Sequence, residues 1–342
     1  MKRFAPALPL LLLPIIFHLP PIATSQTRER TVGPTRADSQ VKTEVIKTDV
    51  DLVNVDALVL QKNTSRAMGE FVKEDFVISE DGVKQSISYF SQDRLPLSVL
   101  LLIDRGGCLD PFGDEVRHAA LSALTQLKPV DEVAVMTYHD TADLRQEFTN
   151  DRRAIRRALN YVPPHDERAN HCLDTALETA ASYMSEAANP VGRRVVIFIT
   201  GVTRNFDCAG SPSGKAAMQS IFESGSVISA IVPQTPVQAM ENGMMRWATR
   251  VGRVGGAHIL DIKKLADETG GELLQDKPEN LETTFTTLIE HLRTRYNIAF
   301  VSSNKKRDGT LRKLKIELAD STRQTERKLV VKARKSYVAP KS

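Results

Sequence analysis

Two kinds of hydrophobic pattern divide the chain. In the first, over residues 42–94, apolar and polar positions alternate. Val50, Leu52, Val53, Val55, Ala57 and Val59 form a strand-like series. Residues 72–82 then read as a short turn, a strand and a tight Asp81-Gly82 turn, with a returning strand over 85–90. The second pattern starts at Pro96, where continuous apolar runs replace alternation. Residues 97–104 (Leu-Ser-Val-Leu-Leu-Leu-Ile-Asp), 131–138, 193–200 and 227–232 read as strands buried on both faces. Helical spacing fills the intervals. Val116, Ala119, Ala120, Ala123, Leu124 and Leu127 mark a helix over 114–127, and further helices are predicted over 152–161, 173–186, 214–223, 261–269 and 281–293. Strands alternating with amphipathic helices predict βαβ units around a parallel sheet. Residues 144–148 read as an edge strand, 272–274 as a short strand, and 233–260 as a long Gly- and Met-containing insertion. After Arg295 alternation returns, over 295–302, at Leu311, Leu314, Ile316 and Leu318, and over 329–333. These late strands are expected to complete the early β module, which has too few strands to stand alone.

The N-terminus changes the picture. Met1-Lys2-Arg3 is a positive start, residues 4–22 are apolar and proline-containing, and Ala23-Thr24-Ser25 is a small-residue cleavage pattern. That is a secretory signal, and export to the periplasm or beyond the cell is expected. Pro6, Pro9, Pro14, Pro20 and Pro21 argue against a regular spanning helix there, and no other run is long enough to span a membrane. The predicted organisation is a signal peptide over 1–25, a linker over 26–41, an N-terminal β module over 42–94, an α/β domain over 95–294 and a β-strand appendage over 295–342.

Charge and cysteine add less. The formal net charge is +4, yet residues 304–342 hold 13 Lys/Arg against 4 Asp/Glu, and residues 26–303 carry −7. In that tail the charges alternate with apolar residues, so solvated strand faces are expected rather than a nucleic-acid surface. The chain has three cysteines, Cys108, Cys172 and Cys208. In an exported protein one disulfide among them, with one thiol left over, fits the count, but the spacing does not fix the pairing.

Several segments together carry a family resemblance. They are Lys73-Glu74-Asp75-Phe76, Glu80-Asp81-Gly82-Val83-Lys84-Gln85, residues 99–104, residues 127–134, Arg293-Thr294-Arg295-Tyr296, residues 308–313 and residues 331–337. In this order and spacing the chain resembles bacterial exported proteins related to the von Willebrand factor type A (VWA) domain. The resemblance implies a doubly wound, Rossmann-like α/β domain with helices on both faces. It also implies a ligand edge that in typical members carries a divalent metal, on an Asp-x-Ser-x-Ser loop, a Thr and a third-loop Asp. Oxygen ligands of that kind suit Mg²⁺. Here Asp104 matches the first acid, Gly106 and Cys108 stand at the two Ser positions, Asn170 aligns with the Thr, and Gly201 stands at the third-loop Asp.

The ligand edge is therefore assigned to Asp104, Arg105, Gly106, Cys108, Asn170, His171, Gly201 and Arg204. No metal or other cofactor is expected there; weak Mg²⁺ binding at Asp104 is the alternative. A Zn²⁺ site from His165, His171 and the cysteines lacks the usual ligand spacing. Asp104 has a structural reading too, as a carboxylate that accepts loop N–H groups or pairs with Arg105 or Arg204. Met240, Met244, Met245 and Trp247 make either a soft apolar patch for a partner or a helix face packed on the sheet. No nucleophile elbow, His-Glu-x-x-His or phosphate loop is present. The expected function is a non-catalytic, exported module that binds an as yet unidentified protein, with no nucleic acid, no membrane span after signal cleavage, and association with the cell envelope. The alternative is an envelope scaffold whose VWA-like domain has lost its ligand.

Overall fold

A computed structural model describes residues 52–341 apart from 63, 93–94, 107–108, 110–111, 163–170, 190–192, 202–203, 207, 209, 211, 251–258 and 326–327. The signal peptide, the linker, the first ten residues of the β module, Cys108 and Asn170 lie outside the described residues, as do the side chains of Arg204 and Met245.

The described residues open with β1 (Leu52–Gln61), β2 (Phe76–Glu80), β3 (Val83–Gln85) and β4 (Ile87–Ser91). The α/β alternation follows. It runs through β5 (Leu97–Asp104), α1 (Gly113–Ala123), β6 (Glu132–Tyr138), β7 (Ala142–Thr149), α2 (Arg152–Asn160) and α3 (Leu173–Tyr183). Next come β8 (Arg193–Ile199), β9 (Arg204–Phe206), α4 (Gly214–Ser224), β10 (Val227–Pro233) and α5 (Pro236–Arg250). This part closes with β11 (Ile259–Asp261), α6 (Ile262–Thr269), β12 (Leu273–Asp276) and α7 (Leu281–Arg293). The C-terminal part holds β13 (Tyr296–Val301), β14 (Leu311–Leu318), α8 (Asp320–Thr325), β15 (Leu329–Ala333) and β16 (Ser336–Val338).

The central sheet has six strands in the order β12-β10-β8-β5-β6-β7. All pairs are parallel except β6–β7, so the edge strand read over 144–148 turns back antiparallel. Every residue of β5 is buried, as its unbroken apolar run requires. Successive side chains take opposite faces. Val99, Leu101 and Ile103 pack with residues of α1, α2 and α7, while Leu100 and Leu102 pack with residues of α3, α4 and α6. The helices thus cover both faces, the doubly wound arrangement. Each fully buried aliphatic side chain in these layers contributes roughly 1.5–3 kcal/mol.

The early and late strands interleave. One four-stranded sheet runs β15-β1-β13-β4 and another runs β16-β14-β2-β3. Their inner faces share one apolar cluster that includes Val55, Val59, Ile298 and Phe300 from the first sheet and Phe76, Ile78, Leu314 and Ile316 from the second. The β module is therefore built from both flanks of the α/β domain. At the β2–β3 turn Asp81 and Gly82 both take positive φ, 47° and 85°, the conformation that makes Asp-Gly the favoured tight hairpin turn.

Two sequence expectations are corrected. Residues read as an insertion contain the 15-residue helix α5. Its exposed Met240, Met244 and Trp247 recur at i, i+4 and i+7, so the apolar stripe faces away from the core and gave no sign of burial. The three-residue strands β9 and β11, which pair antiparallel, are too short to show a period.

Candidate functional site

Parallel strands deliver their last residues to one edge of the sheet. At that edge Asp104 ends β5, next to Tyr138 at the end of β6 and close to Thr200 just past β8. Asp104 is 3 % exposed. A buried carboxylate must be matched by donors, and the strand ends and loops supply them. Its Oδ1 accepts from the Gly106 backbone N–H at 2.9 Å. Its Oδ2 accepts from the Thr200 hydroxyl at 2.7 Å and the Tyr138 phenol at 2.9 Å. His171 lies across both oxygens, with Nδ1 at 2.9 and 3.0 Å. Opposite a carboxylate that nitrogen is the donor. These groups already match the roughly four lone-pair sites a carboxylate offers.

His171 is held in place by its neighbours. The Cys172 N–H bonds to the His139 carbonyl at 2.9 Å, and the Leu173 N–H to the His171 carbonyl at 2.8 Å. Cys172 is the N-cap residue of α3 and is joined by a disulfide to Cys208, beyond β9. Two loops of the edge are thereby tied together. The imidazole also explains glycine at 106. A Cβ there would stand 2.5 Å from the ring's Cε1 and Nδ1, closer than non-bonded atoms tolerate. A serine at this position would collide with the ring that covers Asp104.

The electrostatics are mutual. Burial works against the Asp104 charge, but the His171 hydrogen bond and charge, then the Gly106 N–H and the Thr200 hydroxyl, hold its pKa below the ordinary value. Burial likewise works against an imidazolium, but the Asp104 hydrogen bond and charge hold the His171 pKa above the ordinary value. Both shifts favour the charged pair, an imidazolium against a carboxylate, with His171 partly open to solvent and Asp104 closed off from it.

The structure brings together Asp104, Gly106 and His171 from the predicted edge. Gly201 follows Thr200 and is buried, and its carbonyl accepts a 3.5 Å bond from Asn242 of α5. That contact places the helix carrying Met240, Met244 and Trp247, exposed by 62, 63 and 55 %, beside the same edge. Sequence reasoning missed Tyr138 and Thr200 as partners of Asp104. The signal was available: both stand at or just past the C-terminal ends of buried strands, level with Asp104. The reading of Asp104 as a structural carboxylate that accepts a loop N–H agrees with the Gly106 bond, and His171 adds a salt-bridge partner that the sequence reading did not name. The Zn²⁺ reading loses two of its donors, since the Cys172 and Cys208 sulfurs are bonded to each other.

Comparison with known proteins gives a family for this part of the chain. Residues 99–203 match the family model described as von Willebrand factor type A domain. No curated protein matches. Among solved structures the chain is similar to a von Willebrand factor type A protein from Catenulispora acidiphila, at 11 % identity over 86 % of this chain and 75 % of that one, with a TM-score of 0.43. It is also similar to an aerotolerance-related membrane protein from Bacteroides fragilis, at 13 % identity over 57 % of this chain and 98 % of that one, TM-score 0.41. A third is the PilB minor pilin of Streptococcus sanguinis, at 10 % identity over 60 % of this chain and 63 % of that one, TM-score 0.42.

Proposed function

Because the chain carries a von Willebrand factor type A-related domain, a module of the protein-interaction type, we propose that it is an exported, non-catalytic binding protein whose ligand edge works without a metal ion. The observation that carries this reading is the His171 imidazole laid across both oxygens of Asp104. A hard cation at this edge needs several oxygen ligands, each with a free lone pair. Asp104 spends its lone pairs on protein donors, and Gly106 offers neither a side-chain oxygen nor room for one. Among the described residues this donor set speaks against Mg²⁺. The His171 imidazole takes up the acceptor sites on Asp104 that a cation would need.

With no bridging ion, recognition rests on shape and on apolar contact. Met240, Met244 and Trp247 supply the contact: thioethers adapt to irregular partners, and an exposed Trp is a frequent interface anchor. Export is supported by the N-terminal signal and by the Cys172–Cys208 disulfide, a bond that persists in oxidising compartments.

The reading is tested by capturing a partner from the native envelope with the full mature chain and repeating the capture in EDTA and in Mg²⁺. Equal recovery in both is expected, with recovery reduced by Trp247→Ala. Capture abolished by EDTA and restored by Mg²⁺ overturns the metal-free edge. Capture insensitive to substitution along α5, but lost on substitution of strand residues in the tail, favours the scaffold reading instead.

A further inference from the structure

The opposite end of the central sheet is where the strands begin, and β8 begins with Arg193-Arg194. Arg193 is in register with Leu97, seven residues before Asp104 and so roughly 20–25 Å from it along the strand. Here a cleft of about 650 Å³ opens, lined by residues from β1, β8, β13 and the turn after β15. Its size falls in the range of small-molecule sites.

Among the described residues the charge of this cleft is unbalanced. Arg193, Arg194 and Arg334 bring three guanidiniums to its wall, and Asp56 brings one carboxylate. A fourth guanidinium, Arg295, is 1 % exposed and interacts with Arg193 and Arg334 as well as with Asp56 and Glu272. Glu272 is already bound to His291 at 2.8 Å. Backbone carbonyls fix the arginines without neutralising them. Arg193 donates to the Leu292 and Arg295 carbonyls at 2.7 and 2.6 Å, Arg194 to that of Ser224 at 3.4 Å, Arg295 to that of Gly270 at 2.6 Å, and Arg334 to that of Gly225. Arg193 Nε forms a salt bridge with Asp56 Oδ1 at 3.4 Å without making a hydrogen bond among the described residues. Nε and Nη1 of Arg295 have none either. Buried cations with unspent donors are unfavourable unless an anion joins them.

We propose that this cleft binds a small multi-oxygen acid, a phosphate ester or a polycarboxylate, with Arg193, Arg194 and Arg334 gripping its oxygens. Planar guanidiniums with several N–H groups match such anions in paired bonds. The side-chain amides of Asn54 and Asn297, in the same wall, add neutral donors. The site lies away from the Asp104 edge and does not depend on the partner-binding reading.

The test is a thermal-shift and calorimetric titration of the full mature chain with inorganic phosphate, glycerol 3-phosphate and citrate, each against chloride at equal ionic strength. A saturable rise in melting temperature with at least one acid is expected, and the tightest of them identifies the class. Arg194→Gln and Arg334→Gln should weaken that acid at least tenfold. Arg156→Gln, which removes an exposed charge on α2 outside the cleft, should leave its affinity unchanged. No saturable binding of any of the three acids by the wild type overturns the proposal, as does equal weakening by all three substitutions. Should Arg334→Gln not fold, the wild-type and Arg194→Gln titrations decide.

Discussion

At the scale of single residues, the Asp104–His171 pair makes the sharpest claims. Removing the imidazole strips a charged donor from a buried carboxylate, and hydrogen bonds to charged groups are worth about 1.5–3 kcal/mol. His171→Ala is therefore expected to lower the unfolding free energy by about 2 kcal/mol near pH 5.5, measured by urea denaturation. The loss must depend on pH in a set direction. The His171 pKa is raised on folding, so its contribution is complete below the ordinary value of 6.5 and vanishes as pH rises through the folded value. The Asp104 pKa is lowered, so its contribution is complete above 3.8 and vanishes as pH falls through the folded value. The difference between wild type and His171→Ala should be widest between these limits and shrink toward pH 9. A difference that grows with pH contradicts the pairing. Gly106→Ser tests the same contact by crowding. Alone it forces a Cβ against the ring, at about 1–3 kcal/mol. In the His171→Ala background most of that cost should disappear, a coupling of at least about 0.5 kcal/mol in a double-mutant cycle.

At the scale of elements, the disulfide joins the start of α3 to the stretch after β9, closing a loop with a sequence separation of 36. Loop-closure entropy assigns it about 3–4 kcal/mol. Cys172→Ser with Cys208→Ser should lower the denaturation midpoint accordingly, and reduction of the wild type should reproduce the shift. Pairing of two cysteines was legible from the cysteine count and the expected export; which two was not, because pairing depends on loop positions that spacing does not encode. Elements were legible in proportion to their contact with the core. Helix α7 buries Leu281, Phe285, Leu288, Ile289 and Leu292, and its bounds follow directly from that period. Helix α5 turns Met240, Met244 and Trp247 to solvent and holds Gly243 midway, so its pattern spoke against the helix it forms. For Asp104, the acid at the end of an apolar run was plain, but its partners come from three other segments. Only the alignment of strand ends brings them together.

Across the whole molecule, the basic tail is an integral part of two sheets. Along β14 exposed and buried positions alternate, with Lys313 and Lys315 outward and Arg312, Leu314, Ile316 and Leu318 inward. The expectation of solvated strand faces holds for the lysines. Arg312 is the exception: its Nη1 lies 3.0 Å from Glu80 Oε1, where Tyr337 also donates at 2.7 Å, while Ser302 donates to Glu80 Oε2 at 2.6 Å. Arg312→Ala leaves Glu80 buried without its cation and should cost about 3–5 kcal/mol. Cutting the chain after Ser303 goes further. It removes β15 from β1 and β14 from β2, so that β1 keeps only β13 and β2 keeps only the three-residue β3. Two isolated short strands do not hold together in water. Amide exchange over residues 76–85 should therefore accelerate toward the rate of an open chain in the truncated protein. The central strands β5 and β8, whose pairing and helix cover do not involve the tail, should stay protected. Protection retained over 76–85 would mean that the N-terminal strands fold without the C-terminal ones, against the interleaving that joins the two flanks.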